Sequence, residues 1–150
     1  MENQITRVGC GTVEPASRRT FGAAYWAALA GCLVSSALTY AYVGGAAREL
    51  NPVLRAVIGT AGLEVMILVK IVAAVGGYWG YYLLGRVTGK VRVATTLGWV
   101  AAVVYVADAL HDLRVAMAAG PAGLGEVGPG IALVLVATWA GVALRPPEII

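Results

Sequence analysis

The chain has 150 residues, of which 59% are apolar and 13% are charged, and its mean hydropathy is +0.79. Such values are typical of membrane proteins, and the length leaves room for about four spans but no separate soluble domain. The net charge is only +3, and no Lys/Arg cluster interleaves with aromatic residues, which argues against nucleic-acid binding. Cys10 and Cys32 are too far apart to indicate a metal knuckle or a disulfide framework.

A polar segment opens the chain. Residues 1–20 carry Arg7, Arg18 and Arg19 and are interrupted by Pro15. The segment is too long and too polar for a typical cleaved signal, and the apolar run after it is longer than the apolar part of one. We interpret residues 1–20 as a polar cytoplasmic tail.

The first predicted span covers residues 21–43 and has a small residue at every fourth position. These small residues are Ala23, Ala27, Gly31, Ser35 and Thr39. Because they fall on one face of a helix, they predict a close approach by another helix backbone, as in the small-xxx-small pattern of membrane helices.

The segment that follows, residues 44–55, contains the sequence Glu-Leu-Asn-Pro at positions 49–52. The residue before a proline is biased away from the helical region, so we expect Asn51 to end a turn and Pro52 to start the next segment. Residues 53–60 fit either a short interfacial helix or an early extension of the second span.

The second predicted span, residues 61–85, holds the charge that a bilayer accommodates least easily. Lys70 has apolar residues on nearly every side, and Glu64 lies nearer to one end of the span. A charge in mid-membrane costs several kcal/mol, so we expect Lys70 to face protein or water and to have a partner. A second row of small residues follows it: Ala73, Gly76, Gly77 and Gly80.

A basic loop, residues 86–92, leads into the third predicted span, residues 93–117. This span is apolar until Asp108, which is followed by His111 and Asp112. Their spacings of three and four put the three side chains on one side of a helix.

The fourth predicted span covers residues 127–144 and completes a transmembrane domain over residues 21–145. Pro129 suits the first turn of this helix, and Arg145 with two prolines ends it. Residues 146–150 form a short C-terminal tail.

Basic residues predict the orientation. The side with both termini and the second loop carries seven of them: Arg7, Arg18, Arg19, Arg86, Lys90, Arg92 and Arg145. The opposite side carries three: Arg48, Arg55 and Arg114. The four tryptophans share one depth near the basic ends, as in an aromatic belt. The sequence therefore predicts an all-α bundle of four transmembrane helices with both termini cytoplasmic, in a multi-pass protein of the cytoplasmic membrane.

In this orientation, the strongly polar residues fall in the outer half or in the outer loop. These candidate site residues are Ser36, Thr39, Glu49, Asn51, Glu64, Lys70, Asp108, His111 and Asp112. Lys70 and Asp108 lie at matching depths, whereas Glu64 is about 9 Å from Lys70 along its own helix and on a different side of it. We therefore predict that Lys70 pairs with Asp108 rather than with Glu64.

The chemistry of this polar cluster stays open between two interpretations. It is either a structural ion pair beside a partly wet helix end, or a proton or anion site in which His111 titrates near neutral pH. His111, Asp108 and Asp112 are weak candidates for metal ligands, but a single histidine excludes two-histidine metal motifs and bis-histidine haem. We predict no catalytic residue and no cofactor.

The order of these motifs resembles an uncharacterised family of small prokaryotic multi-span membrane proteins. The similarity covers about residues 34–113 and includes Thr39, the Glu-Leu-Asn-Pro loop and Lys70. The family pattern has Asp-x-x-Thr in the first of these segments, where this chain has Ser36 in place of the aspartate. The resemblance implies a shared polar site on the outer side, in which Asp108 or Glu64 takes over any role of the missing aspartate.

Three functions are compatible with this pattern. The first is a non-enzymatic bundle that acts through helix association, with itself or with a membrane-protein partner, and whose polar cluster fixes the helix arrangement in the lipid bilayer. The second is a small proton- or ion-coupled transporter or binding protein that uses Lys70, Asp108 and His111. The third is an intramembrane hydrolase or transferase, which needs a nucleophile or metal beside His111.

Overall fold

A computed structural model describes residues 15–42, 52–119 and 124–147. Over these ranges the chain is helical, with no strand. The helices are α1 (Pro15–Tyr42), α2 (Pro52–Ala61), α3 (Leu63–Thr88), α4 (Val91–Ala119) and α5 (Leu124–Ala143). Three stretches are long and apolar enough to cross a membrane: Thr20–Tyr42 in α1, and the whole of α3 and α4. The all-helical class is confirmed, and the chain is a membrane protein with three candidate spans among the described residues.

The helices match the predicted spans closely except at the start of α1. Helices α3, α4 and α5 begin and end within three residues of the predicted limits. Helix α1 begins at Pro15, so it takes in the end of the predicted polar tail, because a proline is well tolerated in the first turn of a helix. Glu49 and Asn51 lie outside the described residues.

Helix α2 is a separate short helix, which decides between the two interpretations of residues 53–60. Gly62 breaks it from α3 with a φ of +94°, a left-handed conformation that side chains disfavour. Ile58 is buried and lies in one apolar cluster with Met66 and Ile67 of α3. The short helix is therefore held against α3 by its apolar side.

Helix α1 is the central element, since α3, α4 and α5 all contact it. Helix α4 runs parallel to it: Ser35 meets Asp108, and Thr39, one turn later, meets Asp112. Helix α3 runs antiparallel to it, because Ala24 is next to Tyr78 while Ser35 is next to Lys70. Helix α5 is antiparallel as well, since Gly141 is next to Leu29 while Gly130 is next to Tyr40.

Part of the small-residue row of α1 serves the contact with α4. A Cβ built on Gly31 would lie 2.8 Å from the carbonyl carbon and oxygen of Tyr105, so the two backbones touch here. Ser35 and Thr39 continue this contact and are buried, whereas Ala23, at the other end of the row, is exposed. The prediction of a close helix approach is confirmed from Gly31 onward.

Aromatic side chains join the helices at the end of the bundle that holds the α3–α4 connection. The Tyr25 hydroxyl donates to the carbonyl oxygen of Gly141, and the Trp79 indole donates to that of Leu144, 2.7 Å away. The Tyr78 hydroxyl lies between the carbonyl oxygens of Ala24 and Gly98. These polar tips bind backbone carbonyls of neighbouring helices. Two arginines at this end contact aromatic side chains: Arg86 donates to the Tyr82 hydroxyl, and Arg145 lies over the Trp26 ring.

We expect Gly31→Ala to reduce the free energy of unfolding by about 1–3 kcal/mol, the usual cost of overpacking a tight contact. The added methyl group would meet backbone atoms of α4, which cannot turn aside as a side chain can. The matched control is Gly59→Ala in α2, where nothing lies within 4 Å of the new Cβ. That control should be neutral or stabilising by about 0.5–1 kcal/mol, because alanine is the better helix former. Unfolding in mixed micelles, followed by circular dichroism, measures both; equal losses would contradict the close approach.

Candidate functional site

The hydroxyl of Ser35 is the centre of a polar cluster inside the bundle. Its Oγ lies 2.7 Å from Lys70 Nζ, 2.7 Å from Asp108 Oδ2 and 2.6 Å from Asp112 Oδ2. Lys70 Nζ is also 2.8 Å from Asp108 Oδ2, and the Thr39 hydroxyl donates to Asp112 Oδ2 over 3.2 Å. We name these five residues, Ser35, Thr39, Lys70, Asp108 and Asp112, the Ser35 cluster.

The helix register explains why these side chains meet. Ser35 and Thr39 are one turn apart on α1, and Asp108 and Asp112 are one turn apart on α4. Because α1 and α4 are parallel, the two hydroxyls line up with the two carboxylates. Lys70 reaches the same point from α3 and closes the cluster from the third helix.

The cluster is sealed on one side and open on the other. Ser35 has no exposed surface, and the side chain of Lys70 is only 10% exposed. The side chain of Asp108 is 43% exposed. The ammonium group is thus enclosed, whereas the carboxylate against it keeps one side toward the surroundings.

The predicted partner of Lys70 is in place. Asp108 makes the ion pair with Lys70, and Glu64 lies in the first turn of α3, exposed, with its Oε2 close to Gly62. A carboxylate at that position interacts favourably with the positive end of the helix dipole. Glu64 is therefore part of the helix start and not of the cluster.

Among the described residues, His111 makes no hydrogen bond or ion pair with the Ser35 cluster. It is exposed and lines a surface depression of α4 together with Leu110, Arg114 and Met117. His111 comes three residues after Asp108, which places its side chain about 60° around the helix from Asp108, on the side away from Asp112. His111 therefore lies outside the face that Asp108 and Asp112 share.

Ser36 is not the serine that contacts the charges. It is fully buried, and among the described residues its Oγ makes no hydrogen bond to Lys70, Asp108 or Asp112. The hydroxyl that contacts Lys70 and the two aspartates is that of Ser35, which the candidate site residues did not include. The signal that points to Ser35 is its place four residues from both Gly31 and Thr39 in the row that faces α4.

The arrangement suits an ion pair or a proton site better than a metal site or a serine nucleophile. Within residues 20–42, 52–119 and 130–147, no three His, Cys, Asp or Glu side chains are placed to hold a metal ion. The hydroxyls of Ser35 and Thr39 contact carboxylates, not a histidine, so a serine–histidine pair is not formed at this site.

Comparisons with protein-family models, with curated proteins and with solved structures give no match for this chain. The resemblance to the family of small membrane proteins therefore stays a prediction. What the chain does has to be inferred from its own helices and their polar cluster.

We expect Lys70→Met and Asp108→Asn each to cost about 3 kcal/mol of stability, the low end for a buried pair, because Asp108 is partly exposed. Each substitution leaves the other group without its counter-charge. In the double variant both charges are gone, so its loss should be smaller than the sum by at least about 1 kcal/mol. Reversible unfolding in mixed micelles gives the four values.

The matched control combines Lys70→Met with Glu64→Gln, which removes a carboxylate outside the cluster. Its effects should add. Additive effects for Lys70 and Asp108 would show that the two side chains are not energetically coupled.

Proposed function

We propose that this chain is a non-enzymatic, four-span protein of the cytoplasmic membrane that acts by associating with a second copy of itself. The Ser35 cluster would fix the arrangement of helices within each copy. The open small-residue face of α3 would be the contact between copies. This is the first of the three functions that the sequence allows, with a second copy of the chain as the partner.

Four crossings are supported by α5, the shortest of the four long helices. Its 20 residues span about 30 Å, the thickness of the hydrocarbon core. It also follows α1 over most of its length, since Gly141 contacts Leu29 and Gly130 contacts Tyr40. Together with the excess of basic residues on one side, alternating helix directions favour both termini in the cytoplasm.

The single observation that carries the proposal is the empty space beside the second small-residue row. A Cβ built on Gly76, Gly77 or Gly80 would meet nothing within 4 Å, and Ala73 is exposed as well. The comparable row on α1 is filled from Gly31 onward by α4. The chain thus has two such rows and uses one of them to close its own bundle.

A groove beside this row offers further contact area. It lies between α3 and α5, has a volume of about 380 Å³ and is almost wholly apolar. Gly76 belongs to both the row and the groove, together with Val75 of α3 and Ala137 of α5. A second helix seated on the row would therefore lie next to a ready apolar surface.

A second copy suits this face because the face is complementary to itself. A two-fold interface brings the same patch of both subunits together. From Ala73 to Gly80 the patch has no charged residue, so it would neither repel its own copy nor leave a charge unpaired. Gly76 and Gly80 have the spacing of four that allows two membrane helices to cross closely.

The dimer test is Gly76→Leu combined with Gly80→Leu. We expect the fraction of dimer, measured by single-molecule photobleaching in lipid vesicles across a range of dilution, to require about tenfold higher protein density, equivalent to about 1.4 kcal/mol. The added side chains would keep the two backbones apart.

The control is Ala107→Leu, at an exposed small residue on α4, which should leave the dimer unchanged. A wild-type chain that stays monomeric at every density, or that dimerises equally well with both glycines replaced, would remove the proposal.

The topology test labels single cysteines in whole cells, in a chain with Cys10 and Cys32 replaced by alanine. A reagent that cannot cross the membrane should label Gly59→Cys from outside. It should label Thr88→Cys, at the end of α3, only after the cells are opened. The reverse pattern would invert the orientation, and labelling of both from one side would contradict an odd number of crossings between them.

A further inference from the structure

If Lys70 is charged and Asp108 and Asp112 are both ionised, one of the contacts of Ser35 has no hydrogen to make it a hydrogen bond. A hydroxyl has a single hydrogen to donate and two lone pairs that accept. Ser35 Oγ nevertheless has two carboxylate oxygens at 2.7 and 2.6 Å, both within the normal range for an O–H···O bond. Its own hydrogen serves only one of them. Two oxygens this close without a hydrogen between them would repel each other.

Two arrangements of protons satisfy every contact, and the one that keeps Asp108 ionised is favoured because Asp108, not Asp112, contacts the ammonium group of Lys70. Lys70 donates to Ser35 Oγ and to Asp108 Oδ2, and Ser35 donates to Asp108. The remaining contact, between Ser35 and Asp112, is then a hydrogen bond only if Asp112 is protonated and donates. Ser35 thereby makes one donated and two accepted hydrogen bonds, which is its full capacity.

The charge balance leads to the same conclusion. With Lys70 charged and both aspartates ionised, the cluster carries a net charge of −1 inside a predicted membrane bundle. One bound proton reduces that charge to zero, and an uncompensated charge in such a place is costly. We propose that the Ser35 cluster is a proton-binding site, in which the carboxyl group of Asp112 holds one exchangeable proton and donates it to Ser35.

The exchange is a simple acid–base step. The O–H bond of Asp112 breaks, the proton passes to a water molecule, and the carboxylate keeps the electron pair. The cluster then has a charge of −1, and the hydrogen bond between α1 and α4 at Ser35 and Asp112 is lost. The proposal goes beyond self-association and does not depend on it.

Other titratable groups surround the site on three helices. Cys32 of α1 lies near Lys70, and Tyr105 and His111 of α4 lie near Asp108. Lys70 is the group that faces the site from α3.

The sequence offers an unusually direct test, because its only two aspartates are Asp108 and Asp112. Aspartate labelled with ¹³C at the side-chain carboxyl therefore reports on the cluster alone. In the full chain in lipid at pH 7, carbon NMR and infrared spectra should show one protonated and one ionised aspartate per chain, where two exposed aspartates would both be ionised. Two ionised aspartates in the wild-type protein would overturn the proposal without any variant.

Two variants locate the proton. Asp112→Asn should remove the protonated signal, because its amide N–H can take over the donation to Ser35, and only the ionised signal of Asp108 should remain. Lys70→Met should convert the ionised signal to a second protonated one, since Asp108 loses its counter-charge. Glu64→Gln is the control and should change neither signal. A protonated signal that survives in Asp112→Asn, or a Lys70→Met spectrum identical to the wild type, would contradict the assignment.

Discussion

The ammonium group of Lys70 is the constraint on which the rest of this bundle depends. It stands about two turns inside an apolar helix, so it must be enclosed by groups that replace water. Ser35 and Asp108 supply that replacement from two other helices, and Thr39 and Asp112 extend it by one turn. The three helices therefore cannot be rearranged independently, because each contributes a group that the others need.

The two ends of the bundle are held in different ways. Toward the α3–α4 connection, tyrosine and tryptophan tips donate to backbone carbonyls, which involves no formal charge. Toward the other end, charged and hydroxyl groups meet one another. The hydrogen bonds to carbonyls join uncharged groups, whereas the Ser35 cluster contains three ionisable side chains, Lys70, Asp108 and Asp112. Any response of the protein to its surroundings is expected at the end with the cluster.

Much of this architecture could be predicted from the sequence. Hydropathy, together with the positions of glycine, proline and basic residues, predicted the limits of α3, α4 and α5. The depth of each residue along its helix was enough to choose Asp108 over Glu64 as the partner of Lys70. What could not be predicted was which helix faces α1 at Ser35, because the sequence does not contain the register between helices. For the same reason Ser36 was chosen instead of Ser35. Successive residues of a helix point about 100° apart, so only one of the two serines can face the charged groups. His111 was grouped with Asp108 and Asp112 because spacings of three and four residues bring side chains to one side of a helix. That spacing does not tell which of the three side chains faces the neighbouring helix.

The short connection between α3 and α4 has a consequence for how the chain is made. Only Gly89 and Lys90 separate the two helices, so Lys70 and Asp108 lie on the two arms of one tight helical hairpin. Helix α1 is synthesised before either of them and brings only hydroxyl groups to the cluster, which a membrane helix carries at little cost. The charges arrive later and close together along the chain. A ribosome-bound intermediate that holds back α3 until α4 has emerged would insert both arms as a pair, with the ammonium group already beside its carboxylate.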